Sequence, residues 1–231
     1  MCEDLVSPSH LRNGEALLPL FTHTTNFVRG AGDGEDAAEL YLPNPRCTSD
    51  EDLERFRFVG AMCGASARFT AFMSLDLSSL CWKYLLGETI STQDLRASDV
   101  ITAELIESIS AIDDETVWAL RQDDSDLQIR WCVQLPGKAT ALALQGDGTA
   151  LVSFQDRDRY CSLIKDVWMA QFSAQLSAVA EGFYSVFPQI GARLLTWREL
   201  ERRVCGLPDV DVSQLQRIAR YEGSYHRVCQ A

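Results

Sequence analysis

Apolar residues recurring every three to four positions predict most of this chain as helix. Behind Pro43-Asn44-Pro45, the residues Phe56, Val59, Gly60, Cys63 and Ala67 repeat at helical spacing. Thr48 followed by Glu51 has the form of a capping box, and the acids Asp50, Glu51, Asp52 and Glu54 suit the positive end of a helix dipole. Gly60 and Gly64 fall one turn apart on nearly one face. A glycine inside a helix costs about 1 kcal/mol against alanine, so close approach of another element is the expected compensation. Ser78 to Gly87 predicts a short helix with a serine start and a glycine stop. Asp99 suits the N-cap of another, with Ile101, Leu105, Ile109 and Ile112 as its apolar stripe. The longest helix is expected after Asp156 or Asp158, carrying Tyr160, Leu163, Ile164, Val167, Trp168, Leu176, Val179 and Phe183, with Gly182 marking its end. A last helix from about Thr196 to Cys205 is stopped by Gly206 and Pro208.

The period changes in the middle of the chain. Asp113, Asp114, Glu115, Asp123, Asp124 and Asp126 read as a solvated acidic loop, relieved by Arg121. Leu127, Ile129 and Trp131 then alternate with Gln128 and Arg130, a period-two strand signal that puts the three apolar residues on one face. Ala141 to Leu144 and Ala150 to Phe154 flank Gln145-Gly146-Asp147-Gly148-Thr149, which reads as a hairpin. The expected fold class is α+β, predominantly helical, with short antiparallel strands confined to the middle.

Composition narrows the function. The 231 residues are 46% hydrophobic and 23% charged, ordinary for a globular chain able to bury a sizeable core. Lys and Arg number 21 against 33 Asp and Glu, a net charge of −12, which argues against a nucleic-acid or anionic-membrane surface. Neither a secretory signal nor an apolar run long enough to span a bilayer is visible, so a reduced, cytoplasmic setting is expected. The eight cysteines include no pair closer than 16 residues, which excludes the close ligand pairs of a structural zinc site. His10, His23 and His226 stand beside no carboxylate or cysteine at a metal or triad spacing. Gly30-x-Gly32-x-Gly34 lacks the lysine and hydroxyl residue of a phosphate loop, and the acidic loop lacks EF-hand spacing. No cofactor, metal or self-contained catalytic site emerges from these residues.

The run AEGFYSVFPQIGARLLTWRELERRVCG, followed by Asp211, Leu215, Tyr221, Gly223 and Tyr225, resembles the end of the N-terminal lobe of HECT-type ubiquitin ligases. Earlier segments are similar to their HECT counterparts in the same order: PLFTHTTN, YLPNP, FRFVGAMCGASAR, LDLSSLCWKYLLGE and DGTALVSFQDRDRY. The resemblance covers nearly the whole chain. It implies a large helical subdomain (1–98 and 166–231, its start incomplete) and a small inserted one (99–165) that docks a ubiquitin-conjugating enzyme. The family's docking groove receives an aromatic anchor, and by this resemblance it falls on Ile101, Leu105, Leu127, Ile129 and Tyr160. The partners implied are the conjugating enzyme, ubiquitin, and protein substrates held by regions outside this chain.

The same resemblance implies a thioester-forming cysteine in a separate C-terminal lobe, within a Thr-Cys element. Cys229 has no such context, so the catalytic lobe is expected to lie outside this chain and no catalytic residue is assigned here. The competing expectations are a non-catalytic scaffold that keeps the lobe's fold and an unrelated cysteine-dependent hydrolase.

Overall fold

A computed structural model describes residues 11–12, 15–16, 20–30, 39–69, 71–124, 127–135, 138–206 and 217. Two short antiparallel ladders open the chain: β1 (Leu11–Arg12) with β2 (Glu15–Ala16), and β3 (Phe21–His23) with β4 (Tyr41–Pro43). Between the latter pair lies α1 (Thr25–Arg29), capped by the Thr24 hydroxyl and ended by Gly30 in the left-handed region. On the far side of β4, Tyr41 forms a parallel bridge with Leu77.

Helix α2 (Asp50–Phe69) is the longest element. Its cap sits one residue later than the expected box: the Ser49 hydroxyl accepts the Asp52 amide at 3.2 Å and donates to the Asp52 carboxylate at 2.7 Å. The next helices are α3 (Ser79–Leu86), α4 (Thr92–Ser98), α5 (Val100–Ser110) and α6 (Glu115–Asp123). In α3 the expected glycine stop holds, with Gly87 at φ 68°, while the Ser78 hydroxyl bonds Ser98 rather than capping its helix. Helix α4 has no strong apolar period of its own; a Ser91–Asp94 capping box and the contact of Leu95 with the core define it.

Asp94 carries a testable consequence. It is buried, and its carboxylate accepts from Lys83 Nζ at 2.7 Å, the Ser91 amide at 2.8 Å and the Ser91 hydroxyl at 2.6 Å. Burial pushes its pKa up, but the Lys83 ammonium and the Ser91 donors outweigh that and leave it below the ordinary carboxylate value. A folded-state pKa below the unfolded one stabilises the fold above the unfolded pKa of about 3.9, and that stability is lost as pH falls through the folded value. Asp94→Asn is expected to cost about 1–3 kcal/mol at neutral pH. Urea midpoints between pH 7 and 3 should fall less steeply in the variant than in the parent; equal slopes would exclude this role.

Within the acidic stretch, residues 115–123 are helix rather than loop. Asp114 accepts the Thr116 amide at 2.7 Å and starts α6, because Val117, Trp118 and Leu120 supply a helical spacing among the acids. The expected hairpin across 145–149 is also replaced. Strand β5 (Cys132–Val133) pairs with β6 (Leu142–Ala143), and Arg130 bridges Leu151, so both flanking segments bond to the 129–133 segment instead. Trp131 donates its amide to Ala150 and accepts from Leu144, while Val152 donates to Ile129. Gly146 and Gly148 both take positive φ, which lets the 145–149 segment loop out between two stretches that bond to the same edge of the 129–133 segment.

The helix expected across 160–183 is two helices, α7 (Arg157–Ala170) and α8 (Ser173–Val186). Side chains take the last carbonyls of α7: Gln171 donates to Trp168 and Ser173 to Ala170. Phe172 is buried and meets Trp168 edge-on at 5.2 Å. The apolar phase runs on through this break, so periodicity alone joined the halves. After α9 (Gln189–Ala192), α10 (Trp197–Cys205) has the expected Thr196 start, with a Thr196–Glu199 capping box, and ends at Gly206.

The core centres on α2 against α8. A Cβ on Gly60 would lie 1.9 Å from the Val179 carbonyl oxygen, and one on Gly64 2.7 Å from that of Phe183. The close approach expected of these glycines is therefore present. Gly182 does not end a helix; it lies inside α8, where a Cβ would meet the Arg57 carbonyl oxygen at 1.8 Å. No helix among the described residues is long and apolar enough to cross a membrane.

Candidate partner-binding surface

Helix α5 carries two of the expected docking residues. Its buried face is Thr102, Ala103, Ile106 and Ile109, which leaves Ile101 43% exposed and Leu105 half-buried. The helix is fixed to α7 at two levels. The Ile106 carbonyl accepts the Cys161 thiol at 3.7 Å, and the Trp168 indole donates to Asp99, the N-cap of α5, at 3.1 Å.

Tyr160 is only 4% exposed. Its hydroxyl donates to the Cys132 carbonyl at 2.9 Å and its ring meets Trp131 edge-on at 5.9 Å. Burial pushes its pKa up to about 12, so it remains a neutral phenol. It pins the first turn of α7 to β5. Ile129 is buried at 7%, within a run where Ile129, Trp131, Val133 and Leu135 point inward. The alternation is real but starts at Ile129: Leu127 occupies the turn entering the strand and is 50% exposed, with its carbonyl accepting from Arg121 at 3.4 Å. Of the five residues, Ile101 and Leu127 present apolar surface, Leu105 is intermediate, and Ile129 and Tyr160 are buried.

Helix α6 braces the segments at Ile129 and Val152. Gln122 accepts the Ile129 amide and donates to the Ile129 and Val152 carbonyls, and the Trp118 indole donates to Val152. The outer face of α6 adds Val117 and Leu120, 50% and 68% exposed. Both lie among acids, which hides them in a reading of the sequence as a solvated loop. The signal was their i, i+3 spacing after a good cap at Asp114.

The described residues hold no cluster of three or more metal-ligating side chains. His23 is stacked on Phe27 and tilted against Tyr41, each at 4.4 Å, and bonds Glu39. Burial raises the thiol pKa values of Cys47, Cys81 and Cys161, that of Cys81 to about 12. These three are protonated at neutral pH and are poor nucleophiles. His10, His226, Cys2 and Cys229, most of the 30–34 glycine loop and the motif residues from Asp211 to Tyr225 lie outside the described residues.

Comparison with known proteins gives this arrangement a family. The HECT-domain (ubiquitin-transferase) family model matches residues 16–231. The chain is 29% identical to the E3 ubiquitin-protein ligase HERC2 of Mus musculus over 231 residues, covering 96% of this chain and 4% of that protein. It is 25% identical to the E3 ubiquitin-protein ligase NEDD4 of Homo sapiens, covering 81% of this chain and 14% of the relative. It is 26% identical to the E3 ubiquitin-protein ligase HACE1 of Danio rerio, covering 80% and 20%. The chain therefore spans a fifth or less of each of these relatives. With a family match running along almost its whole length and a predominantly helical α+β architecture, this chain belongs to the HECT-domain family of ubiquitin-protein ligases.

Proposed function

We propose that residues 99–165 form a subdomain that docks a ubiquitin-conjugating enzyme, bringing its ubiquitin to a ligase whose substrate lysines are reached by other parts of the protein. The observation that carries this reading is that Ile101 and Leu127 expose apolar surface in a segment where Tyr160 and Ile129 are buried and hydrogen-bonded. Exposed apolar groups held on a rigid, hydrogen-bonded base are what an aromatic anchor needs, since pre-organisation lowers the cost of binding. The membership of the chain in the HECT family supplies the partner class.

The test is binding of a panel of purified conjugating enzymes to this chain, followed by calorimetry. Ile101→Glu and Leu127→Glu should each weaken the best binder by roughly tenfold or more, the cost of about 1.4 kcal/mol at an apolar hot spot. Ile190→Glu, at a residue 80% exposed outside this subdomain, serves as the control. Tyr160→Phe removes the bond to Cys132 and should lower stability by about 1 kcal/mol while binding stays nearly unchanged. Unchanged binding in both glutamate variants would sink this surface. Binding to no member of the panel would leave the scaffold reading standing instead.

A further inference from the structure

A second concave site lies away from the proposed docking surface. A cleft of about 480 Å³ is lined by Leu40, Leu77, Gln93, Arg96, Trp197 and Glu201, drawn from the residue before β4, the 76–78 segment, α4 and α10. One wall is a strand edge. Tyr41 donates its amide to Asp76 at 2.8 Å and accepts from the Ser78 amide at 3.0 Å. In a parallel bridge of this form, the amide and carbonyl of the intervening Leu77 turn to the opposite edge. Helix α10 closes that edge further back, where Met73 donates to the Val204 carbonyl and the Cys205 thiol bonds the Leu75 carbonyl. Leu77, itself 5% exposed, lines the cleft. Among the described residues neither the Leu77 amide nor its carbonyl has a partner.

The charges of the cleft are unequally committed. Arg96 is paired with Glu107 at 2.8 Å and Glu104 at 3.5 Å, and Lys83, whose ammonium stands 5.7 Å from the Trp197 ring centre, is paired with Asp94. Arg198 lies over the same ring at 4.9 Å. Glu201 is half-buried and makes no hydrogen bond or ion pair among the described residues. Burial raises its pKa, against the pull of Arg198 and Arg202. A desolvated carboxylate without a partner is costly, and a cation seated on it would relieve that cost.

We propose that this cleft binds an extended peptide, which pairs its backbone with Leu77 and seats one arginine side chain against Glu201. Strand addition satisfies the open donor and acceptor of Leu77. A planar guanidinium matches a carboxylate through two parallel hydrogen bonds and is more weakly hydrated than an ammonium, which suits a half-buried acid. The Leu40 and Trp197 walls cover the methylene stem of such a side chain. This site is independent of the conjugating-enzyme surface.

The test uses the whole chain and the blocked peptide acetyl-Val-Thr-Arg-Val-Thr-amide, followed by NMR titration and amide hydrogen exchange. At saturation, exchange of the Leu77 amide should slow by about tenfold or more, the mark of one gained hydrogen bond. Replacing the peptide's arginine by glutamine should weaken binding roughly fivefold to tenfold, and lysine should rank between them. Glu201→Gln should remove the preference for arginine over glutamine without changing the affinity for the glutamine peptide. Methylating the peptide's arginine amide nitrogen should abolish protection of Leu77. These peptide changes act on the unmodified protein, so the conclusion survives even if the Glu201 variant folds poorly. An unprotected Leu77, equal binding of the arginine and glutamine peptides, or no binding up to about 5 mM, where affinity is only about 3 kcal/mol, would each overturn the proposal.

Discussion

Gly182→Ala should destabilise this protein by more than about 3 kcal/mol, although helix propensity alone predicts the opposite sign. Alanine is favoured over glycine inside a helix by about 1 kcal/mol, and Gly182 lies well inside α8. The added Cβ, however, would stand 1.8 Å from the Arg57 carbonyl oxygen and 2.9 Å from the Arg57 Cα. These are backbone atoms, so no side-chain rotation relieves the clash. Helices α2 and α8 must move apart, and that loosens the buried set Phe56, Val59, Cys63, Leu176, Val179 and Phe183. Overpacking typically costs 1–3 kcal/mol and more where nothing can yield, so the larger effect wins. For a chain of this size the loss corresponds to a fall in Tm of roughly 6–12 °C. Gly191→Ala is the control, because its Cβ would meet nothing closer than a Phe187 ring carbon at 3.4 Å. It should stay within about 1 kcal/mol of the parent. Thermal melts of the two variants decide the matter: a Gly182 variant as stable as the parent would mean that the helices do not touch backbone to backbone.

The same interface shows what was readable in the sequence. Gly60 and Gly64 are legible because they interrupt an otherwise periodic helix one turn apart, and the only reward for that cost is a close neighbour. Gly182 is equally intolerant of a side chain, yet it stands near the end of a predicted helix, where glycine usually serves as a stop. Local pattern cannot separate those two roles. The distinction depends on the Arg57 carbonyl, 125 residues earlier in the chain. The caps at Asp99 and Thr196 could be read directly, since capping is a matter of a few adjacent residues. The break between α7 and α8 could not, because it comes from side chains taking carbonyls while the apolar phase continues.

The candidate surface divides along similar lines. Alternation puts Leu127, Ile129 and Trp131 on one face; Ile129 and Trp131 share a buried face, while Leu127 stands exposed in the turn before it. Tyr160, an amphipathic side chain at a helix start, had the right form for a contact residue. Its hydroxyl finds a partner inside the protein at Cys132, and that decides its burial. The residues that present apolar surface are those whose helix or turn has spent its buried face elsewhere: Ile101 because Thr102 and Ile106 face inward, and Val117 and Leu120 because Trp118 does.

Asp99→Ala is expected to cost about 3 kcal/mol and to loosen the candidate surface at its root. Asp99 is fully buried and serves three elements together. Its backbone amide closes α4 on the Leu95 carbonyl at 2.7 Å. Its carboxylate caps α5 through the Thr102 amide at 3.2 Å and hydroxyl at 2.7 Å, and it accepts the Trp168 indole of α7 at 3.1 Å. Removing a cap costs about 0.5–2 kcal/mol, and a buried indole N–H left without an acceptor costs a further 1–3 kcal/mol. Asp99→Asn should fall between alanine and the parent, since one oxygen survives for the Thr102 amide while the indole loses its acceptor or meets an amide donor. Trp168→Phe removes the orphan, so the double variant with Asp99→Ala should be less unstable than the sum of the two single losses. Urea unfolding of the four proteins measures that coupling, and simple additivity would show that the indole bond does not form. Hydrogen exchange gives the local readout. The amides of α5 should exchange faster in Asp99→Ala, while those of the α2–α8 core keep their order, because the cap holds Ile101 and Leu105 in place without supporting the glycine interface.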